Sequence, residues 1–464
     1  MNSRCSALPG AGPIIAPDHG VTPPPCVHPV APRLGAVALF FSLIGCIAPA
    51  GSGPPGSNPW GGKADGDESG GALRHWYVIG DDLTPGQGAF EGTVELPADV
   101  RSVEVWLDGV LETQLAGEGG VLTLRRRLDD LGPGEHELVL RAEGRSEPLL
   151  VHRFVRTHPL YVVVSNDWDD TDNTDEELRR QEALHDAHPG MLLTHFVGPY
   201  TFTDPALSEE RKRTLADWVV GMRDRYGDEI GLHIHPYCHF VEAAGVECRL
   251  TPEYARSWRT PGYTVFCSAY TEDEMVELLR TAQGLFESWG LGTPRTFRAG
   301  GWSLELHVLR ALGRAGFVAD TSAVNWQRLE EWRGAPDSSL WSWNAEHWAP
   351  IDETSQPWYP SVDDLFSADA PQVGVLEVPD NGVLVDYVTA DEMIAMFDAN
   401  LGDGVLPEPR QYSIGYHPPS LSAEFARRLD DTLTHIDGHL LAQDAGPVVY
   451  ARLSDLTRVW TRSD

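Results

Sequence analysis

The chain has 464 residues, of which 42% are hydrophobic and 22% are charged, a balance typical of globular rather than disordered proteins. That length exceeds one ordinary domain, so we expect two folded units with flexible tails. The 69 acidic and 35 basic residues give a net charge of -34, which repels phosphate backbones and argues against nucleic acid as a partner. Nothing in the sequence implies a protein partner.

The amino-terminal residues predict export. Residues 35–45, GAVALFFSLIG, form an uncharged apolar run that is shorter than the roughly 20 residues of a membrane span but suits the core of a signal peptide. The run ends in Leu43-Ile44-Gly45-Cys46, which resembles the lipobox of bacterial lipoproteins. We therefore expect residues 1–46 to be a lipoprotein signal peptide, with a membrane anchor on Cys46 in the cell envelope, in the outer membrane of a Gram-negative bacterium. An ordinary signal peptide with a chance cysteine is the alternative.

Cysteine usage agrees with an exported protein. Only Cys238, Cys248 and Cys267 follow Cys46, and no CxxC zinc motif is present. Because exported proteins can form disulfides, a bond between Cys238 and Cys248 could close a short loop and leave one cysteine unpaired.

The composition predicts two folded regions after the signal peptide. Residues 47–75 are rich in Gly, Pro, Ser and Asp and are expected to form a flexible linker. Residues 76–157 contain alternating apolar runs such as SVEVWLDG and HELVLRAEG, separated by turn residues. This spacing predicts a small β-sandwich, and its last strands look immunoglobulin-like. No cluster of His, Cys or carboxylates marks this region as catalytic, so a spacer role, which we favour, and glycan binding are both open.

From residue 158 to residue 464 the pattern changes to strands that alternate with amphipathic helices. The predicted strands are Leu160–Ser165, Met191–Val197, Glu229–His235, Thr296–Ala299, Phe317–Asp320, Gly374–Pro379 and Gln411–His417. Three helices are expected to begin at capping boxes, formed by Thr174 with Glu177, Thr271 with Glu274, and Thr389 with Glu392. Alternating βα units indicate a parallel sheet, open or closed as a barrel, with the active site at the carboxyl ends of the strands.

Polar clusters follow four of these strands. Asp167, Asp169 and Asp170 lie in NDWDD, where three carboxylates would repel one another unless a cation or base chemistry uses them. A solvated acidic loop is the alternative, because TDNTDEE follows. His233, His235 and His239 lie in GLHIHPYCH, and three imidazoles within seven residues at a strand end indicate a metal site.

The other two clusters are shorter. Paired glycines in RAGGW allow a tight turn that brings Arg298 and Trp302 to one rim. His417 ends the strand QYSIGYH and is followed by two prolines that stiffen the chain. Alone, either cluster is compatible with ordinary loop architecture.

Together and in this order, the four clusters resemble the motifs of the polysaccharide deacetylase (NodB-homology) family of carbohydrate esterases. The resemblance covers roughly residues 160–420 and implies a distorted (β/α)7 barrel. The paired aspartates of the family's first motif map onto Asp167, Asp169 and Asp170, although SNDWDD replaces the commoner TFDDG. His235 and His239 have the spacing of the family's two ligand histidines, whereas the strand alignment favours His233, so the ligand pair stays open.

The remaining motifs imply roles for residues at the rim. Arg298 is expected to pair with the base carboxylate, Trp302 to wall the substrate groove together with Tyr237, and His417 to act as the general acid. Asp320-Thr321-Ser322 loosely resembles the family's fourth motif. The expected base is Asp167 or Asp169, with Asp170 and two of the three histidines holding the metal.

The resemblance implies a metal-dependent hydrolase, with Zn²⁺ the expected ion, that removes acetyl groups from an N- or O-acetylated carbohydrate. Two alternatives remain open at this point. One is a catalytically inactive glycan-binding or structural envelope lipoprotein on the same barrel. The other is a hydrolase of the same fold that acts on a non-carbohydrate C–N bond or ester.

Overall fold

The structure is a computed structural model that describes residues 73–117, 120–256 and 260–462. The predicted signal peptide, the lipid-modified Cys46 and the linker up to residue 72 lie outside the described residues. All the described residues belong to one compact unit, and the domain boundary at residue 158 stays a prediction.

Residues 76–157 form seven β-strands in two sheets that share one core. The strands are β1 (Trp76–Val78), β2 (Ala89–Leu96), β3 (Ser102–Leu107), β4 (Val110–Ala116), β5 (Gly120–Arg127), β6 (Gly134–Ala142) and β7 (Pro148–Thr157). A five-stranded sheet has the order β1-β7-β6-β3-β4, and β2 pairs with β5. Alternate residues of β3, such as Val103 and Val105, pack against Phe90 and Leu124 of the smaller sheet. The split of five and two strands differs from the four and three of a constant-type immunoglobulin domain, so that finer assignment is not confirmed.

The rest of the chain builds a parallel sheet of buried strands. These strands are β8 (Leu160–Asp167), β9 (Leu193–Val197), β10 (Glu229–Ile234), β11 (Thr296–Ala299), β12 (Ala319–Asp320), β13 (Leu376–Glu377), β14 (Arg410–Tyr416) and β15 (Val448–Tyr450). Seven of them have the order β13-β12-β11-β10-β9-β8-β14. The eighth strand, β15, pairs with residues 160–162 at the start of β8, whereas β9 pairs with residues 164–167 at its end.

The seven-stranded sheet is curled, and the segment after β13 brings its two edges together. The backbone N–H of Asp380 donates to Ala323 O at 2.8 Å, on the side of β12. A few residues later, the N–H of Val385 donates to Gly415 O in β14, also at 2.8 Å. This half-barrel fits the expected (β/α) architecture.

Nine α-helices are present in the described part of the chain. They are α1 (Asp175–Ala187), α2 (Tyr200–Thr203), α3 (Glu209–Tyr226), α4 (Cys238–Ala243), α5 (Glu272–Trp289), α6 (Leu306–Ala315), α7 (Leu340–His347), α8 (Ala390–Leu401) and α9 (Ala423–Asp437). The three predicted capping boxes begin α1, α5 and α8. Within the described ranges, no helix combines the length and the apolar character that crossing a membrane requires.

Strand register brings the predicted site residues to one edge of the sheet. His233 in β10 lies beside Arg298 in β11, and Tyr416 in β14 lies beside Asn166 in β8. Because parallel strands present their carboxyl ends at the same edge, the residues that follow β8, β10, β11 and β14 converge there.

Candidate metal centre and active site

Three side chains converge at this edge in the manner of metal ligands. Asp169, His233 and His235 each offer one ligand atom, and these atoms all lie within 4.8 Å of one another. Asp169 Oδ1 is 3.1 Å from His233 Nε2 and 3.2 Å from His235 Nε2. Ligands about 2.0–2.1 Å from a tetrahedral ion lie roughly 3.3 Å apart, so these distances suit a small divalent cation.

The hydrogen bonds behind the two histidines orient the same nitrogen of each ring toward the cluster. His233 Nδ1 lies 2.9 Å from Arg298 O, and His235 Nδ1 lies 2.8 Å from Tyr263 O. A carbonyl only accepts, so each Nδ1 carries a proton and each Nε2 faces the cluster. Imidazole nitrogens and a carboxylate oxygen are ligands that Zn²⁺ takes. The donor set therefore fits a metal ion.

A glycine lets the turn after β11 approach one of the ligands. A Cβ atom on Gly300 would lie 2.5 Å from His235 Nδ1 and 2.7 Å from its Cγ, closer than real Cβ contacts. The paired glycines of the sequence therefore do more than permit a tight turn, because the first of them leaves room for the His235 ring. Gly301 adopts a φ of 60°, in the left-handed region that favours glycine.

The last residue of β8 forms a buried ion pair beside the metal cluster. Asp167 Oδ1 accepts from Arg298 Nη1 at 2.9 Å, and the same nitrogen donates to Ser165 Oγ at 3.0 Å. Asp380 approaches Arg298 from another side, with its Oδ2 3.5 Å from Nη2. Desolvation in this buried position raises the pKa of Asp380 above its ordinary value. One guanidinium thus lies between two buried carboxylates, and its hydrogen bond to Asp167 fixes the orientation of that side chain.

A histidine that is hydrogen-bonded to a carboxylate lies next to the Asp169–His233–His235 cluster. His417 Nε2 is 3.6 Å from Asp169 Oδ1, and His417 Nδ1 is 3.0 Å from Asp386 Oδ2. Burial alone would lower the pKa of His417, but the charges of Asp386 and Asp169 raise it to about 10. The metal-free site therefore favours the imidazolium form of His417, which can donate a proton.

The predicted metal ligands separate into two groups in the structure. His233 and His235 are two residues apart on β10, so their side chains lie on the same face of the strand. His239 lies in α4, where its Nδ1 is 2.8 Å from Thr203 Oγ1, and burial lowers its pKa. Among the aspartates, Asp169 joins the cluster and Asp170 does not. The cluster that could hold a metal thus contains Asp169 rather than Asp170, and the roles of Asp167 and Asp170 stay predictions.

The two residues expected to contact substrate are both buried. Tyr237 is 3% exposed, and its hydroxyl donates to the backbone carbonyl of Asp169 at 2.9 Å. Trp302 is 4% exposed, and its Nε1–H donates to Asp380 Oδ2 at 3.0 Å. The polar group of each ring thus contacts another residue of the protein, and the contact of both rings with substrate stays a prediction.

Sequence reasoning missed three residues that contact the site. Asp386 contacts His417, Asp380 contacts Arg298, and the hydroxyl of Tyr263 donates to Asp169 Oδ2 at 2.9 Å. No motif marks any of them, because each lies in an irregular segment far along the chain from its partner. A carboxylate next to an apolar strand, as in LEVPD, is the one signal that could have pointed to Asp380.

Comparisons with protein-family models and with curated proteins find no match. Among solved structures, the chain is similar to a protein from Mycobacterium smegmatis described as a polysaccharide deacetylase, at 15% identity and a TM-score of 0.40 over 66% of this chain and 93% of that one. It is also similar to a family 4 carbohydrate esterase from Streptomyces lividans in complex with acetate (12% identity, TM-score 0.32, 66% and 98%). A third is a family 4 acetyl xylan esterase from Clostridium thermocellum in complex with a cobalt ion (12% identity, TM-score 0.31, 64% and 90%). Polysaccharide deacetylases, which the sequence motifs resemble, are thus among the solved structures that resemble this chain.

Proposed function

We propose that this protein is a metal-dependent hydrolase that removes acetyl groups from an N- or O-acetylated carbohydrate. One observation carries the proposal, namely the Asp169–His233–His235 cluster with the Asp167–Arg298 pair and the His417–Asp386 pair beside it. Metal ligands, a candidate base and a candidate acid are what hydrolysis of an amide or ester requires.

The metal would be held by Asp169 Oδ1 and by the Nε2 atoms of His233 and His235. Two imidazoles and one carboxylate form a ligand set that suits Zn²⁺, the ion we propose, with a further position left for water or substrate. A divalent ion in this place would supply electrophilic activation of the acetyl carbonyl and of water.

Asp167 is the proposed general base. Its carboxylate takes a proton from the attacking water, and Arg298 holds the carboxylate in position through a charge-assisted hydrogen bond. Asp380 and Trp302 in turn hold Arg298 in place.

His417 is the proposed general acid. Its Nε2–H gives a proton to the leaving amine or alcohol, while Nδ1–H donates to Asp386 and fixes the orientation of the ring. Because Asp386 supports the charged form of the ring, the proton stays on His417 until the leaving group needs it. Asp386 is therefore a positioning residue for the acid.

The experiment that tests the proposal is acetate release from a panel of acetylated carbohydrates by the zinc-loaded full-length protein. We expect acetate from at least one N- or O-acetylated sugar polymer, and a loss of about 10²–10⁴-fold in kcat for His417→Ala with metal content unchanged. Metal-loaded protein that releases no acetate but binds the glycans would instead support an inactive glycan-binding protein. If the protein hydrolyses only non-carbohydrate amides or esters, the proposed carbohydrate substrate would be wrong and the hydrolase activity would remain.

We also propose that the protein is exported and anchored in the envelope through a lipid on Cys46. The lipobox-like sequence supports this, and so does the disulfide between Cys238 and Cys248, because disulfides persist in oxidising compartments. In a bacterial host, we expect the wild-type protein in the membrane fraction and Cys46→Ala in the soluble exported fraction. Equal partitioning of the two proteins would contradict lipid anchoring.

A further inference from the structure

Residues 260–264 pack closely against the residues that follow β10, the strand that carries His233. The backbone N–H of Cys238 donates to Pro261 O at 3.0 Å. A Cβ atom on Gly262 would lie 2.2 Å from Pro236 O, and the φ of this glycine is +89°. The segment therefore reaches this position only because a glycine stands at its closest approach.

This contact places Tyr263 against two of the three candidate ligands at once. Its carbonyl faces His235 Nδ1 at 2.8 Å, and its ring stacks on the His235 ring with centroids 4.5 Å apart. Its hydroxyl donates to Asp169 Oδ2 at 2.9 Å. The other oxygen of that carboxylate, Oδ1, is the one that faces both histidines.

We propose that Tyr263 is the positioning residue that sets the ligand geometry of the metal site, an inference that rests on the proposed function. The backbone carbonyl keeps the proton of His235 on Nδ1 and so makes Nε2 the ligand atom. The hydroxyl occupies Asp169 Oδ2 and so leaves Oδ1 alone to bind the ion. Each residue then supplies one ligand atom, which keeps coordination positions for water and the acetyl group.

Tyr263→Phe isolates the hydroxyl, because the variant keeps the ring and the backbone carbonyl. In the full-length protein, we expect it to weaken zinc affinity by about 10–100-fold in competition with a chelator. In the Co²⁺-loaded protein, we expect a changed visible absorption spectrum, because Asp169 becomes free to bind through both oxygens. The matched control is Tyr270→Phe, whose hydroxyl accepts from the Arg249 backbone N–H at 3.2 Å and touches no ligand.

The outcomes separate this inference from the proposed function. Wild-type protein that binds neither zinc nor cobalt would overturn both. Wild-type protein that binds metal, together with Tyr263→Phe of equal affinity and unchanged cobalt spectrum, would overturn only the role of Tyr263. An equal loss in Tyr270→Phe would overturn it too, since loop packing would then be the cause. The free energy of unfolding of the two metal-free variants completes the test. If Tyr263→Phe is much less stable than Tyr270→Phe, the hydroxyl of Tyr263 stabilises the fold and the proposed role in the metal site is overturned.

Discussion

Among single residues, Gly300 leaves the room that the ring of a candidate ligand, His235, occupies. Gly300→Ala would place a methyl group 2.5 Å from His235 Nδ1, so the ring or the turn must move. Metal ligands tolerate little displacement, and we expect zinc affinity to fall by at least about 10-fold. Gly284→Ala is the control, because a Cβ atom there has nothing within 4 Å. Equal affinities in both variants would contradict the prediction that the His235 ring is displaced at the metal site.

The proposed base gives a second prediction at the residue scale. Asp167→Asn keeps the shape of the side chain but removes the carboxylate that accepts the proton. We expect kcat for acetate release to fall by about 10²–10⁴-fold while one metal ion per chain is retained, because Asp167 lies outside the ligand cluster. Steady-state kinetics with metal analysis of the same sample checks both parts. Loss of the metal in this variant would instead make Asp167 a ligand.

At the scale of elements, a buried histidine joins two helices on the outside of the sheet. His188, at the carboxyl end of α1, lies 2.8 Å from Asp437 Oδ2 and 3.2 Å from Asp430 Oδ1, both in α9. Burial alone would lower the pKa of His188, but the two carboxylates raise it above its ordinary value of 6.5. The protonated ring is therefore the form that the folded state favours.

A pH dependence of stability follows from this pair of helices. The contribution of His188 is fully present below the unfolded-state pKa of about 6.5 and is lost as the pH rises through the higher folded-state pKa. We expect the difference in urea midpoint between wild type and His188→Gln to be largest below about pH 6.5, the unfolded-state pKa, and to shrink as the pH rises through the folded-state pKa. A difference that grows with pH would refute this assignment.

The elements themselves were largely predictable from the sequence. Seven predicted strands occur near their expected positions, because each was a buried apolar run bounded by turn residues. The strands predicted at Phe317–Asp320 and Gly374–Pro379 are shorter in the structure, at two residues each. The strand at Val448–Tyr450 was missed because three residues carry no measurable periodicity.

The site was predictable only where its residues are close in sequence. Alternation along one strand was enough to place His233 and His235 on one face. The contact between Asp386 and His417 spans 31 residues, and the contact between Tyr263 and Asp169 spans 94, so neither leaves a local pattern. The choice among the three aspartates depended in the same way on which of them a distant arginine holds.

At the scale of the whole molecule, the all-β residues contact the end of the sheet opposite the site. The hydroxyl of Tyr161, near the start of β8, lies 2.8 Å and 2.7 Å from the two carboxylate oxygens of Asp81. Asp444 accepts from the backbone N–H groups of His75 and Trp76. These contacts join the all-β region to the parallel sheet near the start of β8, and its role as a spacer stays a prediction.

Tyr161→Phe tests whether this junction acts on stability alone. We expect a loss of about 1.5–3 kcal/mol in the free energy of unfolding, because the hydrogen bond of the hydroxyl to the carboxylate of Asp81 disappears. Tyr161 lies six residues before Asp167, or roughly 20 Å along the strand, so zinc affinity and kcat should not change. A fall in zinc affinity would show that the junction is coupled to the site.

The proposed metal site is tested most directly by the metal content of the purified full-length protein, compared with His235→Ala and His239→Ala. We expect about one divalent ion per chain in the wild type and in His239→Ala, and none in His235→Ala, because His235 belongs to the cluster and His239 does not. An absence of metal in the wild type after reconstitution with zinc would refute the proposed site. So would a loss of metal in His239→Ala with retention in His235→Ala.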